Sequence, residues 1–199
     1  LPPRRQFDHT IPLIPGASPV AKRPYRIPPH LKDELEKQIA EMLESGVIRM
    51  SSSPFSSPLI MVKKKDGTWR MVVDYRHLNA LTIKGKFPLP IIDELLYELS
   101  GAAWFSNLDL RAGYHQIRLA PGEEYKTAFS THNGHFEFTV VGFGLTGGPS
   151  TFQGTMNFDL SPVLRKCAVC FFDDILIFSK TLREHILHLT QVLQILKEK

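Results

Sequence analysis

Asp173 and Asp174 stand side by side inside an apolar run, Cys170-Phe171-Phe172-Asp173-Asp174-Ile175-Leu176-Ile177-Phe178. A sequestered, unpaired carboxylate is costly, so such a pair must face solvent, meet cations or hold a metal. The dipeptide alone fits a solvated turn better than a site. Two other features add to it. Asp109 closes a second strand-like run, Trp104-Phe105-Ser106-Asn107-Leu108-Asp109, with Gly113 and Tyr114 soon after. Lys63, Lys64 and Arg70 flank an Asp66-Gly67 turn signal, which puts cations on a hairpin. Three converging carboxylates repel one another, and divalent cations are the usual remedy. Oxygen-only ligands suit Mg2+ or Mn2+ better than zinc. Two such ions about 4 Å apart can activate an attacking hydroxyl and stabilise the leaving oxygen of an in-line phosphoryl displacement. The cationic hairpin can neutralise a triphosphate, and Tyr114 can pack against a sugar. These pieces fit nucleotidyl transfer. A metal nuclease would use similar acids but has no need of a triphosphate clamp.

The elements that must position the acids are readable from pattern. β-branched and aromatic residues make Ala168–Phe172 and Ile175–Ser179 a tight hairpin with the acids at or near its turn. Residues 149–166 read as a helix with Phe152, Met156 and Leu160 on one face. A last amphipathic helix is marked by Leu182, Ile186, Leu189, Val192, Leu193 and Leu196. Strand, helix, hairpin and helix give five elements of the split-βαβ sandwich, whose sixth is a strand. In that arrangement the strand ending at Asp109 lies beside the hairpin, so Asp109 approaches Asp173 and Asp174. His185 and His188 fall on the last helix without a third ligand and read as surface histidines. Cys167 and Cys170 point to opposite faces of one strand and read as buried thiols, not a disulfide.

Upstream, residues 1–29 form a proline-rich extended arm. Leu31, Leu35, Ile39, Met42 and Leu43 mark an amphipathic helix stopped by Gly46. A Ser/Pro loop, Ser51–Pro58, leads to strands Leu59–Val62 and Trp69–Val73. With Asp66-Gly67 as the two central turn residues, Lys63 pairs with Arg70 and Lys64 with Trp69, so Lys63 and Arg70 share a face around an anion. Asp74–Asn79 leaves this hairpin as a turn. Phe87-Pro88-Leu89-Pro90 introduces a short helix over Ile91–Leu99, closed by Gly101. Lys126–Ser130 and His135–Val140 flank the hairpin signal Asn133-Gly134. Gly142, Gly144, Gly147 and Gly148 make a loop that lacks the Gly-Lys-Ser/Thr ending of a P-loop.

The 199 residues suffice for one full core or two small subdomains, and 43 % hydrophobic residues mark a globular chain. A net charge of +4 leans toward anionic partners such as nucleic acid. No apolar run approaches the 18 residues of a membrane span, and the amino end has no signal-peptide core. The expected setting is intracellular, cytoplasm or nucleus, without membrane association. A chain that opens on Leu1 reads as an excerpt of something longer.

Three motifs in order carry a family resemblance. Val72-Val73-Asp74-Tyr75-Arg76-His77-Leu78-Asn79, Phe105-Ser106-Asn107-Leu108-Asp109-Leu110-Arg111-Ala112-Gly113-Tyr114-His115-Gln116-Ile117-Arg118 and Phe171-Phe172-Asp173-Asp174-Ile175-Leu176-Ile177-Phe178-Ser179 resemble the reverse transcriptases of gypsy-type LTR retrotransposons. The likeness covers nearly the whole chain. It implies an α+β fold, the fingers and palm of a right-hand polymerase, whose palm is a split βαβ sandwich lacking its last strand, with no thumb. The implied parts are an arm (1–29), fingers (30–85), palm (86–114), fingers again (115–148) and palm with the catalytic hairpin (149–199). The implied activity is RNA-directed DNA polymerase, extending a primer on RNA or DNA with dNTPs and two Mg2+ or Mn2+ ions. By the same resemblance Asp109 and Asp173 hold the ions and Asp174 supports the site. Lys63 or Lys64, with Arg70, contacts the triphosphate, and Tyr114 excludes a 2′-hydroxyl. Asp74 and Arg76 lie near the template, and Gln153 supports the site from behind. RNase H, integrase and protease domains are the implied neighbours in a polyprotein. Phe143 stands where retroviral relatives have a polar residue. Val141–Pro149 departs from the family's Met-Pro-Phe-Gly-Leu-Thr-Asn-Ala-Pro through Gly142, Gly147 and Gly148, a loosening that a decayed element copy would show. A remnant that only binds nucleic acid is the rival expectation.

Overall fold

The computed structural model describes residues 1–85, 91–110 and 113–198; Phe87–Pro90, expected to introduce a helix, and Arg111-Ala112 of the second motif lie outside them. In chain order come α1 (Lys32–Glu44), β1 (Ile48–Met50), β2 (Leu59–Lys63), β3 (Trp69–Val73), α2 (Arg76–Leu81), α3 (Ile92–Glu98), β4 (Trp104–Asp109), β5 (Phe129–Ser130), β6 (His135–Phe138), α4 (Gly148–Asp159), β7 (Ala168–Phe171), β8 (Asp174–Ser179) and α5 (Leu182–Glu198). They form two compact units, Leu1–Lys84 with Tyr114–Gly148, and Gly85–Gly113 with Pro149–Lys199. Among the described residues no helix is long and apolar enough to cross a membrane.

In the first unit, α1 buries Leu35 and Ile39, and Gly46 ends the helical stretch at a positive φ of 73°. A small sheet runs β1-β6-β5, and β2 and β3 form a separate hairpin. Strand β1 is too short to show a pattern beside the Ser/Pro loop. Residues 76–81, expected to continue a turn, are the helix α2, which buries Leu78. Six residues carry too few turns for periodicity to declare them. Lys126 and Thr127, expected in a strand, belong instead to a 3-10 turn over Glu124–Thr127. Lys126 causes this: its Nζ donates to the Ile11 carbonyl (2.8 Å) and to both Glu123 carboxylate oxygens (2.9 Å each).

The proline-rich arm is tied to this unit by backbone bonds. His9 donates to the Arg118 carbonyl and accepts from the Ala120 N–H, both at 2.8 Å. The His9 ring is 3 % exposed and lies against Gly147, where a Cβ would stand 2.8 Å from its Cε1. Gly148 is similarly close to Val141 Cγ1, at 3.1 Å for an added Cβ. The glycines at 147 and 148 therefore fill tight contacts, which corrects their reading as mere loosening. Burial pushes the His9 imidazole down to about 4, against a smaller upward pull from Glu123. A lowered folded value means the neutral ring is favoured by folding. Its contribution is present above the unfolded value near 6.5 and is lost as pH falls through about 4. Urea midpoints should therefore drop between those limits, and His9→Phe should flatten the drop. Part of the slope should persist, because burial also lowers His115.

In the second unit the sheet order is β4-β8-β7, antiparallel throughout, with register from Trp104 opposite Ser179 to Asp109 opposite Asp174. This is the strand arrangement expected of the split βαβ sandwich. Helix α4 ends at Asp159, short of the expected 166, and Pro162 accounts for this because it disfavours helical geometry at Ser161. Cys167 and Cys170 are free and buried, and burial pushes the Cys170 thiol up to about 12. Helix α5 spans the expected residues, but its phase differs. His185 and Val192 are buried, whereas Leu182, Ile186 and Leu193 are exposed. His185 is thus no surface histidine: Nε2 bonds Ser106 Oγ (2.8 Å) and Nδ1 bonds Ser179 Oγ (3.0 Å), tying α5 to β4 and β8. His188 Nδ1 meets the same Ser179 hydroxyl at 2.8 Å.

Candidate active site

The acids of the second unit are positioned by strand register. Asp109 is the last residue of β4 and Asp174 the first of β8, and they are directly opposed. Opposed residues share a face with Cβ atoms roughly 5 Å apart. Both are exposed, and among the described residues none of Asp109, Asp173 and Asp174 has an ion-pair partner. The nearest polar support is a long contact from Asn107 Nδ2 to Asp174 Oδ1, 3.4 Å. Two like charges opposed without a cation destabilise the pair unless something positive binds there. Their all-oxygen chemistry fits Mg2+ or Mn2+. The expected meeting of all three acids at one point is not seen: no group of three or more His, Cys, Asp or Glu among the described residues is arranged to hold a metal. Asp173 stands one residue away in the turn, where its carbonyl accepts the Leu110 N–H at 3.2 Å.

That turn is held from beneath. Phe171 pairs with Asp174, which leaves Phe172 and Asp173 as the two central residues. Phe172 adopts φ +52°, the sign that primed hairpin turns require and a side chain resists. Gln153, fully buried on α4, compensates. Its Oε1 accepts the Phe172 N–H at 2.8 Å, and its Nε2 donates to the Cys170 carbonyl at 3.2 Å and to Asn157 Oδ1 at 2.9 Å.

The cationic hairpin of the first unit departs from the expected register. Lys64 N–H donates to Thr68 O (2.7 Å) and Gly67 N–H to Lys64 O (3.1 Å), with Gly67 at φ +86°. This is a three-residue loop closed by a glycine bulge, where a two-residue turn was expected. Asp66 stabilises it by accepting from the Thr68 backbone N–H (2.9 Å) and hydroxyl (2.6 Å). Lys63 therefore faces Trp69, and Arg70 faces Val62. Alternation along the strand then puts Lys64, not Lys63, on the Arg70 face. Arg70 Cζ lies 5.0 Å from the Phe143 ring centroid, and Tyr114 meets Phe143 edge-on at 5.3 Å. Asn79 fixes the loop behind Phe143, donating to Gly144 O (2.7 Å) and accepting from Thr146 N–H (2.9 Å).

Asp74 and Arg76 form a two-pronged pair, Nε to Oδ1 at 2.9 Å and Nη2 to Oδ2 at 2.7 Å. The Arg76 hydrogen bonds hold the Asp74 carboxyl well below the usual carboxylate range. Tyr25 of the arm donates to the same carboxylate at 3.1 Å. Tyr25 carries no motif signal in one sequence, its neighbour Arg26 being the available hint, whereas Phe143 lies inside the Val141–Pro149 motif.

The family profile described as "Reverse transcriptase (RNA-dependent DNA polymerase)" matches residues 62–199. The chain belongs to the reverse transcriptase family. This domain is 42 % identical over 174 residues to the Retrovirus-related Pol polyprotein from transposon 297 of Drosophila melanogaster, covering 85 % of this chain and 16 % of that protein. It is 41 % identical over 175 residues to the Transposon Tf2-3 polyprotein of Schizosaccharomyces pombe, covering 88 % and 13 %. These relatives agree with the LTR-retrotransposon affiliation expected from the motifs. Among solved structures, the reverse transcriptase domain resembles the foamy viral protease-reverse transcriptase dRH in complex with ds DNA, with TM-score 0.86, 25 % identity and coverage of 98 % and 34 %. A prototype foamy virus protease-reverse transcriptase gives TM-score 0.84 at 25 % identity, covering 95 % and 25 %. The domain thus spans under a fifth of the curated relatives' length.

Proposed function

We propose that this reverse transcriptase domain carries the polymerase centre of an RNA-directed DNA polymerase, extending a primer along RNA or DNA with dNTPs. The observation that carries this reading is the exposed opposition of Asp109 and Asp174, with no ion-pair partner among the described residues, beside the turn bearing Asp173. In this reading Asp109 and Asp173 hold two Mg2+ or Mn2+ ions and Asp174 supports them. Bound there, the ions supply the Lewis-acid charge that an in-line phosphoryl displacement needs. Asp109, Asp173 and Asp174 provide the anionic cradle, which Gln153 keeps in shape through the Phe172 N–H. Arg70 and Lys64 neutralise the triphosphate, and Tyr114 packs against the sugar and excludes a 2′-hydroxyl. Asp74 and Arg76, already locked to each other, present a fixed polar edge to the template. Protease, RNase H and integrase domains are the proposed neighbours, consistent with relatives that are polyproteins.

The hairpin register sharpens one assignment. Lys64→Ala is expected to raise the dNTP KM about tenfold, the scale of one lost charge-assisted contact. Lys63→Ala should change it by less than about threefold, because Lys63 sits on the other face. Steady-state extension at varied dNTP measures both.

The reading itself is tested by incubating the protein with a primed RNA template, dNTPs and Mg2+, beside Asp173→Asn. Extension lost in the variant supports it. Salt-sensitive template binding without extension would mark a remnant that only binds nucleic acid. Template degradation abolished by the same substitution would mark a nuclease.

A further inference from the structure

A cavity of about 220 Å³ in the second unit has no part in the proposed polymerase chemistry. Ser100, Lys166, Ser179, Lys180, Glu184 and His188 line it. It lies at the end of β8 where Ser179 opposes Trp104, whereas Asp174 opposes Asp109 at the other end. Roughly 17 Å of strand separates the two. The faces differ as well. Ser106 reaches His185 of α5, and Asp109, three residues further along β4, points to the opposite side of the sheet.

The wall favours a negative charge. Lys166 and Lys180 have no carboxylate partner among the described residues, and Lys166 Nζ donates only to the Pro162 carbonyl, at 3.0 Å. Two like charges on one concavity repel unless an anion lies between them. Glu184 is the one acid on the wall, and its Oε2 is engaged by the Thr181 N–H at 3.2 Å. Behind the wall a hydrogen-bonded chain links Ser106, His185, Ser179 and His188, at 2.8, 3.0 and 2.8 Å in turn. A hydroxyl has one proton and two lone pairs. The chain is satisfied when Ser106 donates to His185, His185 to Ser179 and Ser179 to His188 Nδ1. His188 then carries its N–H at Nε2, which has no partner among the described residues.

We propose that this cavity binds a phosphate dianion, free or as the monoester of a small molecule, held by Lys166, Lys180 and the His188 Nε2–H. Charge-assisted bonds to phosphate are roughly twice as strong as neutral ones, and lysine serves there as a point charge. Concave sites with a few convergent polar groups are the usual form of small-ligand sites. A nucleic-acid strand serving Asp109 would run over the other face of the sheet.

Isothermal titration calorimetry in metal-free buffer tests this with inorganic phosphate, ribose 5-phosphate and a single-stranded oligonucleotide as probes. Lys180→Gln should weaken phosphate binding about tenfold, the scale of one lost charge-assisted contact. Glu184→Gln should tighten it about threefold, because glutamine still accepts from Thr181 while the opposing charge is gone. A damaged fold would not produce that gain. Ribose 5-phosphate binding with the same Lys180 dependence identifies a monoester ligand, and its exclusion while phosphate binds identifies the free anion. No phosphate binding by the parent, unchanged affinity in Lys180→Gln, or weaker binding in Glu184→Gln would each overturn the proposal. An oligonucleotide that displaces phosphate would overturn it too, reassigning the cavity to nucleic acid. The polymerase reading fails separately, through primer extension that does not depend on Asp173.

Discussion

Asp174→Asn is expected to raise the melting temperature in metal-free buffer by about 1–2 °C while lowering primer extension more than about a hundredfold. The two effects have one cause. Asp109 and Asp174 face each other across β4 and β8 with no cation among the described residues to offset them. Removing one charge relieves a repulsion of roughly 0.5 kcal/mol, and the same removal deletes a supporting charge from the proposed centre. Added Mg2+ should reverse the order of stabilities. The parent then gains more of the stabilisation that follows from binding an ion to the folded state alone, because Asp174 supports the residues that hold it. Differential scanning calorimetry with and without Mg2+, alongside extension, reads both halves. A variant less stable than the parent in the absence of metal would show that the opposed acids are not a source of stored repulsion.

Gln153→Leu is expected to cost about 2–4 kcal/mol, measured by urea unfolding, and to reduce extension beyond the loss of folded protein. Leucine conserves volume but strands the Phe172 N–H and the Cys170 carbonyl, both of which now use the Gln153 amide. Phe172 also depends on that bond to stay at φ +52°, a conformation that costs a side chain of order 1 kcal/mol or more. Without it the turn can relax, and Asp173 moves with it. Gln153→Glu separates the two hydrogen bonds, since a carboxylate still accepts from Phe172 but cannot donate to Cys170. It should fall between Leu and the parent in extension. Equal activity of all three proteins at equal folded fraction would remove Gln153 from the account.

The strand Trp104–Asp109 and the acid hairpin were legible because β-branched and aromatic runs with abrupt polar ends leave few alternatives. Order along the chain then dictated which strand met the hairpin, and Asp109 opposite Asp174 follows. What failed was finer. Asp66-Gly67 signals a hairpin without stating whether the loop has two residues or three, and that one residue moved the Arg70 neighbour from Lys63 to Lys64. In α5 the apolar residues outnumber one face, so a stripe through Leu182 and Ile186 looked as good as the true one. The spacing of His185, His188, Leu189 and Val192 would have shown the other choice, had histidine been allowed as a core residue satisfied by Ser106 and Ser179. Gly147 looked like a loosened motif because its neighbour, His9, lies far away in sequence. Tertiary contacts of that kind leave no local pattern to read.

The central claim is that Asp109 and Asp173, supported by Asp174, are a divalent-metal site. Titration of Mn2+ followed by electron paramagnetic resonance, with primed template and dNTP present, tests it most directly. The account predicts two bound ions for the parent, and loss of Mn2+ binding in Asp109→Asn and in Asp173→Asn with the fold retained by circular dichroism. Equal Mn2+ binding by the parent and both variants would contradict it.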